Sequence, residues 1–315
     1  MDGNETNMGK DGLAYSTARF EAHMLTQATD ISHEMALYLG GTHFDDQPPN
    51  NRLLGAMRYG ALGSGKRLRP FLTLEAAAVL GAPRDAALRI GCAIECIHAY
   101  SLIHDDLPSM DDDDLRRGMP TVHKAYDEAT AILAGDGLLT MAFEIITLDD
   151  GLISPSSQAL LVKLLAKAAG AKGMVGGQML DLMAGPEQSF AQMEAMQALK
   201  TGALIAASIE ASLCLINCDE VEARALKSFG RDLGLLFQIT DDILDEEGDA
   251  ALMGKAAGSK DRMRGKVNFV TILGLQTAKN LAQKVKAKAL EALAPFADRA
   301  QNLRETVDFV TNRSH

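Results

Sequence analysis

Ile97-His98-Ala99-Tyr100-Ser101-Leu102-Ile103-His104-Asp105-Asp106-Leu107-Pro108-Ser109-Met110-Asp111-Asp112-Asp113-Asp114-Leu115-Arg116-Arg117-Gly118 changes character in its middle. An apolar, helix-forming run stops at two aspartates; a proline, four more aspartates and two arginines follow. Residues 105–114 hold six carboxylates in ten positions, and like charges so close repel and raise one another's pKa. A solvated acidic loop is one reading, since that is what most charge runs are. The other is that divalent cations sit among the carboxylates, because Mg²⁺ takes carboxylate oxygens and keeps waters and substrate phosphates as its remaining ligands. Arg116 and Arg117 suit phosphate oxygens and favour the second.

Upstream, residues 85–106 read as an almost wholly apolar and therefore central helix. Pro108 ends it, because Leu107 is biased out of the α region. Asp105 and Asp111 would point about 120° apart on a continuous helix, so a loop after Pro108 has to bring Asp111 back. Helical spacing recurs over 14–39, 52–61, 70–80, 121–148, 156–171, 189–216, 220–245, 268–293 and 295–310. The breaks are a loop at 42–51, a basic glycine-rich turn at 63–70, Gly173 to Gln178, and a polar loop over 246–265. No strand alternation, internal repeat or domain linker interrupts the series. Ala, Leu, Met, Glu and Lys are abundant, aromatics are few and Trp is absent. The expectation is a single all-α domain over 13–315, a bundle of about ten or more helices.

Net charge is 31 − 42 = −11, which argues against a nucleic-acid partner. An anionic substrate is then repelled unless metal inverts the local sign. The cysteines fall in two i, i+4 pairs, Cys92/Cys96 and Cys214/Cys218. Thiolate ligands and buried small hydrophobes both fit, and the lack of a Cys-x-x-Cys pattern favours the latter in a reducing compartment. Residues 1–12 are polar and Gly/Asn-rich, and the expectation is a disordered tail and not a targeting signal. No window reads as a membrane-spanning run. A cytoplasmic protein without membrane insertion is expected.

Gln238-Ile239-Thr240-Asp241-Asp242-Ile243-Leu244-Asp245 holds a second acidic cluster. Gln238, Asp241 and Asp245 share one helical face. Phe237, Ile239, Ile243 and Leu244 make the surroundings apolar, and acids there need a partner. A solvated helix end is the alternative, since Glu246, Glu247 and Asp249 follow; metal binding is favoured. Two such clusters on facing helices could hold Mg²⁺ against one diphosphate.

Asp105-Asp106-x-x-x-x-Asp111 and Asp241-Asp242-x-x-Asp245 resemble the two aspartate-rich motifs of trans-isoprenyl diphosphate synthases. Gly65-Lys66-Arg67-Leu68-Arg69-Pro70 resembles that family's basic isopentenyl diphosphate motif. The likeness extends to Gly176-Gly177-Gln178, Lys200-Thr201-Gly202, Gly254-Lys255 and Gly265-Lys266, and covers residues 19–272. It implies an isoprenoid-synthase-type helical bundle around a central cavity, nearest to bacterial farnesyl-forming members and homodimeric. It implies a head-to-tail prenyl transfer between an allylic diphosphate and isopentenyl diphosphate, through an allylic carbocation. Mg²⁺ is the implied cofactor, three ions per site in the family, with Mn²⁺ as an alternative.

By that resemblance Asp105, Asp111 and Asp241 ligate metal. Asp106 assists, and Asp242 and Asp245 lie near the metal shell. Arg116, Lys200, Lys255 and Lys266 reach the allylic diphosphate. Lys66, Arg69, His98 and Arg117 take the isopentenyl diphosphate. Thr201 and Gln238 cradle the carbocation, and the departed diphosphate removes the proton. His98 fits a core histidine as well as a ligand, and His104 and His123 read as structural. Gln178 and Asp181 fit a functional role or a helix cap, and stay outside the catalytic set.

Tyr100 lies five residues before Asp105, roughly 7.5 Å down the helix. Tyr100 with Ser101 fits the family's fifteen-carbon pattern, with Tyr100 as the tunnel floor; a geranylgeranyl product is the alternative. Rival classes are a class I terpene cyclase, which would not need the basic turn, and a non-catalytic synthase subunit, which tends to lose one aspartate motif.

Overall fold

The computed structural model describes the backbone of residues 5–40, 51–252 and 267–313, and the side chains of 17–40, 52–248 and 267–313. These fall into two compact units. The first takes Met1–Phe71 and Leu88–Ile145, the second Leu72–Ala87 and Ile146–His315. Among the described residues the chain is all-α apart from one two-stranded hairpin.

The first unit contains α1 (Glu5–Leu39), α2 (Asn51–Ala61), the start of α3 (Leu68–Leu80), most of α4 (Arg84–Asp105), the hairpin β1 (Leu115–Arg116) and β2 (Met119–Pro120), α5 (Val122–Ala125) and α6 (Glu128–Ile146). Helical backbone in α1 begins at Glu5, so residues 5–12 join a helix where the sequence predicts a disordered tail. α4 is the buried helix of this unit. Ile90, Cys92, Ala93, Ile94, Cys96 and Ile97 are all 0–1 % exposed, as a helix apolar all round requires. The expected helix over 121–148 breaks at Tyr126–Asp127, between α5 and α6.

By length and composition α4 and α6 could each cross a membrane, a correction to the expectation that no such run exists. In α4 83 % of the apolar window is buried within the fold, as in the core helix of a globular protein. In α6 the share is 44 %, and Ile132 and Leu133 stay exposed.

The Arg67–Glu95 ion pair in this unit lies out of water. Arg67 Nη1 donates to Glu95 Oε1 at 2.9 Å, and both side chains are 5 % exposed. The guanidinium also donates to Gly63 O and Ser32 Oγ, so the buried charge is well partnered.

The second unit is built on α11 (Glu220–Leu252), which follows α7 (Pro155–Ala169), α8 (Met174–Leu182), α9 (Phe190–Gln197), a π-helical turn (Ala198–Gly202), α10 (Ala203–Glu210) and a 3₁₀ turn (Ala211–Cys214). In α11 Leu226, Phe229, Leu233, Leu236, Ile239 and Ile243 are buried, a stripe at i, i+3/i+4 spacing. The helix runs past Asp245 into the stretch expected to be a polar loop. Then come α12 (Phe269–Leu273), α13 (Leu275–Ala292), a 3₁₀ stretch (Ala294–Ala300) and α14 (Gln301–Asn312). Gly274, at φ 78°, separates α12 from α13 where one helix is expected. The last elements are tied to the 72–87 segment by Asn302 donating to Glu75 and Arg299 donating to the Val79 carbonyl.

Arg67→Ala strands Glu95 in the interior and should destabilise the protein by about 3 kcal/mol, read from urea denaturation. The apolar pair Arg67→Met with Glu95→Leu should fold with stability much nearer to the parent.

Candidate active site

The acidic loop is assembled by backbone geometry. After α4 ends, Leu107 N–H donates to His104 O and Met110 N–H to Leu107 O. Asp111 N–H then reaches back to Asp105 O at 2.8 Å. The reversal after Pro108 therefore returns Asp111 to Asp105, as the six-residue spacing demands. Asp105 and Asp111 are both partly exposed.

Asp106 points elsewhere. Its carboxylate, 3 % exposed, takes the Arg116 guanidinium as a fork: Nε at 2.7 and 3.0 Å and Nη2 at 2.6 Å. Burial pushes the Asp106 carboxyl up and Arg116 pulls it back. Arg116 is held in β1 by a hairpin whose turn is Arg117-Gly118, with φ of 53° and 79°. Both residues are left-handed, as a two-residue hairpin turn needs, and glycine takes the second at no steric cost. Arg117 bears that strain beside the acidic loop, and its Nη1 donates to the Ser64 carbonyl. Asp114 pairs with Lys124 at 2.9 Å.

A cavity of about 60 Å³ opens here, lined by Tyr59, Ser64, Asp106, Arg116, Arg117 and Thr121 among others. Arg69 Nη1 lies 3.3 Å from His98 Nε2. Burial, and then Arg69, Arg117 and Arg116, drive the His98 pKa well below its usual value, so the ring is neutral and can give one N–H. Lys66 is exposed in the turn before α3. His104 meets the Ile132 carbonyl and His123 meets Thr121 Oγ1. Tyr100 is 5 % exposed, its ring edge-on to His104. Ser101 donates to the His98 carbonyl.

The second unit carries Lys200, Thr201, Gln238, Asp241, Asp242 and Asp245. Lys200 and Thr201 sit in the π-helical turn, a feature frequent at functional sites. Lys200 Nζ donates to Asp181 Oδ2 at 2.7 Å, and that carboxylate is 8 % exposed. Asp181, which sequence reasoning set outside the catalytic set, thus partners an expected site residue; the signal available for it was the three-residue step from Gln178 on one helix face. Gln178 is buried with neither amide atom hydrogen-bonded. A Cβ on Gly177 would stand 2.1 Å from Lys200 N, so only glycine lets α8 approach this turn.

Asp241 is half-exposed and Asp245 exposed, while Asp242 turns inward. Asp242 Oδ2 accepts from the Phe269 N–H at 2.8 Å, satisfying the start of α12. Burial raises its carboxyl to about 7, with the Phe269 bond opposing and Asp241 and Asp245 adding. Gln238 is partly buried one turn before Asp242. Lys255 and Lys266 lie outside the described residues.

Among the described residues, no three His, Cys, Asp or Glu side chains converge to hold a metal. The donors are carboxylates on half-open surfaces, with no closed nitrogen or sulfur cage. That set fits Mg²⁺, which binds through one or two carboxylates plus waters and phosphates, and not structural zinc.

Residues 50–306 match the family model described as polyprenyl synthetase. The chain belongs to the polyprenyl synthetase family. Farnesyl diphosphate synthase of Geobacillus stearothermophilus is 48 % identical over 72 % of this chain and 77 % of its own. Geranylgeranyl pyrophosphate synthase 4 of Arabidopsis thaliana is 42 % identical over 82 % of this chain and 70 % of its own. The apo crystal structure of an FPP/GFPP synthase from Zymomonas mobilis superposes with a TM-score of 0.81 at 40 % identity, covering 94 % of this chain and 99 % of that one. The all-α isoprenoid synthase fold and prenyl diphosphate synthase activity follow. In this polyprenyl synthetase chain the two aspartate motifs and the basic turn are intact in sequence.

Gly177→Ala should lower the melting temperature by several degrees, as overpacking of about 1–3 kcal/mol implies. Gly185→Ala, where an added Cβ meets nothing within 4 Å, should leave the melting curve unchanged.

Proposed function

We propose that this chain makes farnesyl diphosphate, joining isopentenyl diphosphate to dimethylallyl diphosphate and then to geranyl diphosphate, with diphosphate released each time (EC 2.5.1.10). The observation that carries the reading is the Asp105–Asp111 loop closed beside an Arg116 fork already aimed by Asp106. Carboxylates for cations and a guanidinium for phosphate oxygens thus occupy one surface of the first unit. Asp241, on α11, supplies a further half-exposed carboxylate.

Asp105, Asp111 and Asp241 would hold Mg²⁺, three ions by family likeness, with Mn²⁺ as a substitute. Bound there, the metal supplies the charge neutralisation that makes diphosphate a competent leaving group. Arg116, Lys200, Lys255 and Lys266 bind the allylic diphosphate, and Asp106 and Asp181 orient the first two of these. Lys66, Arg69, Arg117 and neutral His98 bind the isopentenyl diphosphate through charge-assisted hydrogen bonds and need no metal. The allylic C–O bond breaks with both electrons leaving on diphosphate. Thr201 and Gln238 turn oxygen dipoles toward the resulting cation. The isopentenyl π pair forms the new C–C bond, and the released diphosphate takes the proton that regenerates a double bond.

Buried Tyr100 stops the growing chain at fifteen carbons. A geranylgeranyl product is the second reading, supported by the 42 % identity to the Arabidopsis geranylgeranyl pyrophosphate synthase. The exposed Ile132 and Leu133 on α6 suit a second copy of the chain. The four cysteines are free thiols, and a reducing cytoplasm suits them.

Incubation with Mg²⁺, isopentenyl diphosphate and geranyl diphosphate should yield diphosphate and one fifteen-carbon product. Hydrocarbon released from geranyl diphosphate alone would mean a cyclase, and no turnover would mean a non-catalytic subunit. Asp105→Asn should reduce kcat by about 10²-fold or more, while circular dichroism stays unchanged. Tyr100→Ala should lengthen the product; an unchanged fifteen-carbon product removes Tyr100 as the floor.

A further inference from the structure

Arg313 follows α14 in extended backbone, at φ −60° and ψ 146°, and its side chain is 10 % exposed. The guanidinium lies 3.9 Å over the Phe237 ring and donates through Nη2 to the Phe237 carbonyl at 3.1 Å. The same Nη2 lies 2.5 Å from Asp241 Oδ1. Phe237 and Asp241 are one turn apart on α11, so both contacts belong to one helix face. Arg313 Nε is buried with no hydrogen-bond partner, which leaves the guanidinium incompletely satisfied where it sits. Asp241 meanwhile stays 41 % exposed.

Without a cation, Asp241, Asp242 and Asp245 would crowd negative charge onto two turns of one helix, an arrangement that like-charge repulsion disfavours. Arg313 relieves it from 72 residues away. The ring beneath the guanidinium and the Phe237 carbonyl beside it are contacts that do not depend on Asp241.

We propose that Arg313 is a positioning residue for the second aspartate motif: a resident cation that neutralises and aims Asp241, and that a divalent metal must displace. The inference rests on the reading that Asp241 is a metal ligand. Arg313 therefore sets the metal concentration at which the second motif fills. Lys at this position should retain part of the effect, since it keeps the charge but loses the planar fork.

The test is Mn²⁺ titration of the full chain, with free Mn²⁺ read by electron paramagnetic resonance, on the parent, Arg313→Gln, Arg313→Lys, Asp241→Asn and the Asp241→Asn/Arg313→Gln double variant. Arg313→Gln should tighten Mn²⁺ binding by about two- to fivefold, the span that a part-exposed ion pair contributes, and Arg313→Lys should fall between it and the parent. In the Asp241→Asn background Arg313→Gln should change nothing, as a coupled pair requires. Melting in chelator should drop for Arg313→Gln and recover with Mn²⁺, which separates lost neutralisation from misfolding. Unchanged or weaker Mn²⁺ binding by folded Arg313→Gln overturns the proposal. If Asp241→Asn alone leaves Mn²⁺ binding untouched, the metal-ligand reading itself fails, a separate outcome.

Discussion

Carboxylates crowded into short stretches of chain repel one another, and the fold has to withstand that repulsion. Cations supplied by the chain do so in both units. Arg116 forks onto buried Asp106, Lys200 holds buried Asp181, and Arg313 covers one oxygen of Asp241. In the first two pairs the carboxylate is nearly out of water and the cation is partly exposed, so each acid aims a cation outward. Asp106 and Asp181 are thus buried against a cation, whereas Asp105, Asp111 and Asp241 stay half-open.

The backbone follows from the same need. A helix as apolar as α4 can end on charges only where its chain breaks out of the α region, and Pro108 forces that break. The loop then closes through the Asp111 to Asp105 backbone hydrogen bond, and the hairpin places Arg116 against Asp106. The π-helical turn does comparable work around Lys200: it widens the helix where the lysine leaves it, and Gly177 allows α8 to come close enough for Asp181 to reach.

Much of this was legible in the sequence. The 3.6-residue periodicity marked the helices, and the spacing of Asp105 to Asp111 and of Asp241 to Asp245 marked both motifs. Strands of two residues are too short to show alternation, so the hairpin at Leu115–Arg116 and Met119–Pro120 left no trace. The π-helical turn has ordinary helix composition, and α11 continues past Asp245 because Glu, Ala and Leu sustain a helix despite their polarity pattern. The breaks at Tyr126–Asp127 and Gly274 lie inside periodic segments and are set by packing. Ion pairs spanning 19 and 72 residues, Lys200 to Asp181 and Arg313 to Asp241, leave no local signal at all.

The central claim is that these aspartates act by gripping diphosphate through shared divalent metal. A crystal structure grown with Mn²⁺ and an inert allylic thiolodiphosphate tests it directly, because manganese can be located by its anomalous scattering. The account predicts manganese on the Asp105–Asp111 loop and on Asp241, with each ion also bound to diphosphate oxygens. Diphosphate held by lysine and arginine alone, with no manganese on either motif, would contradict it.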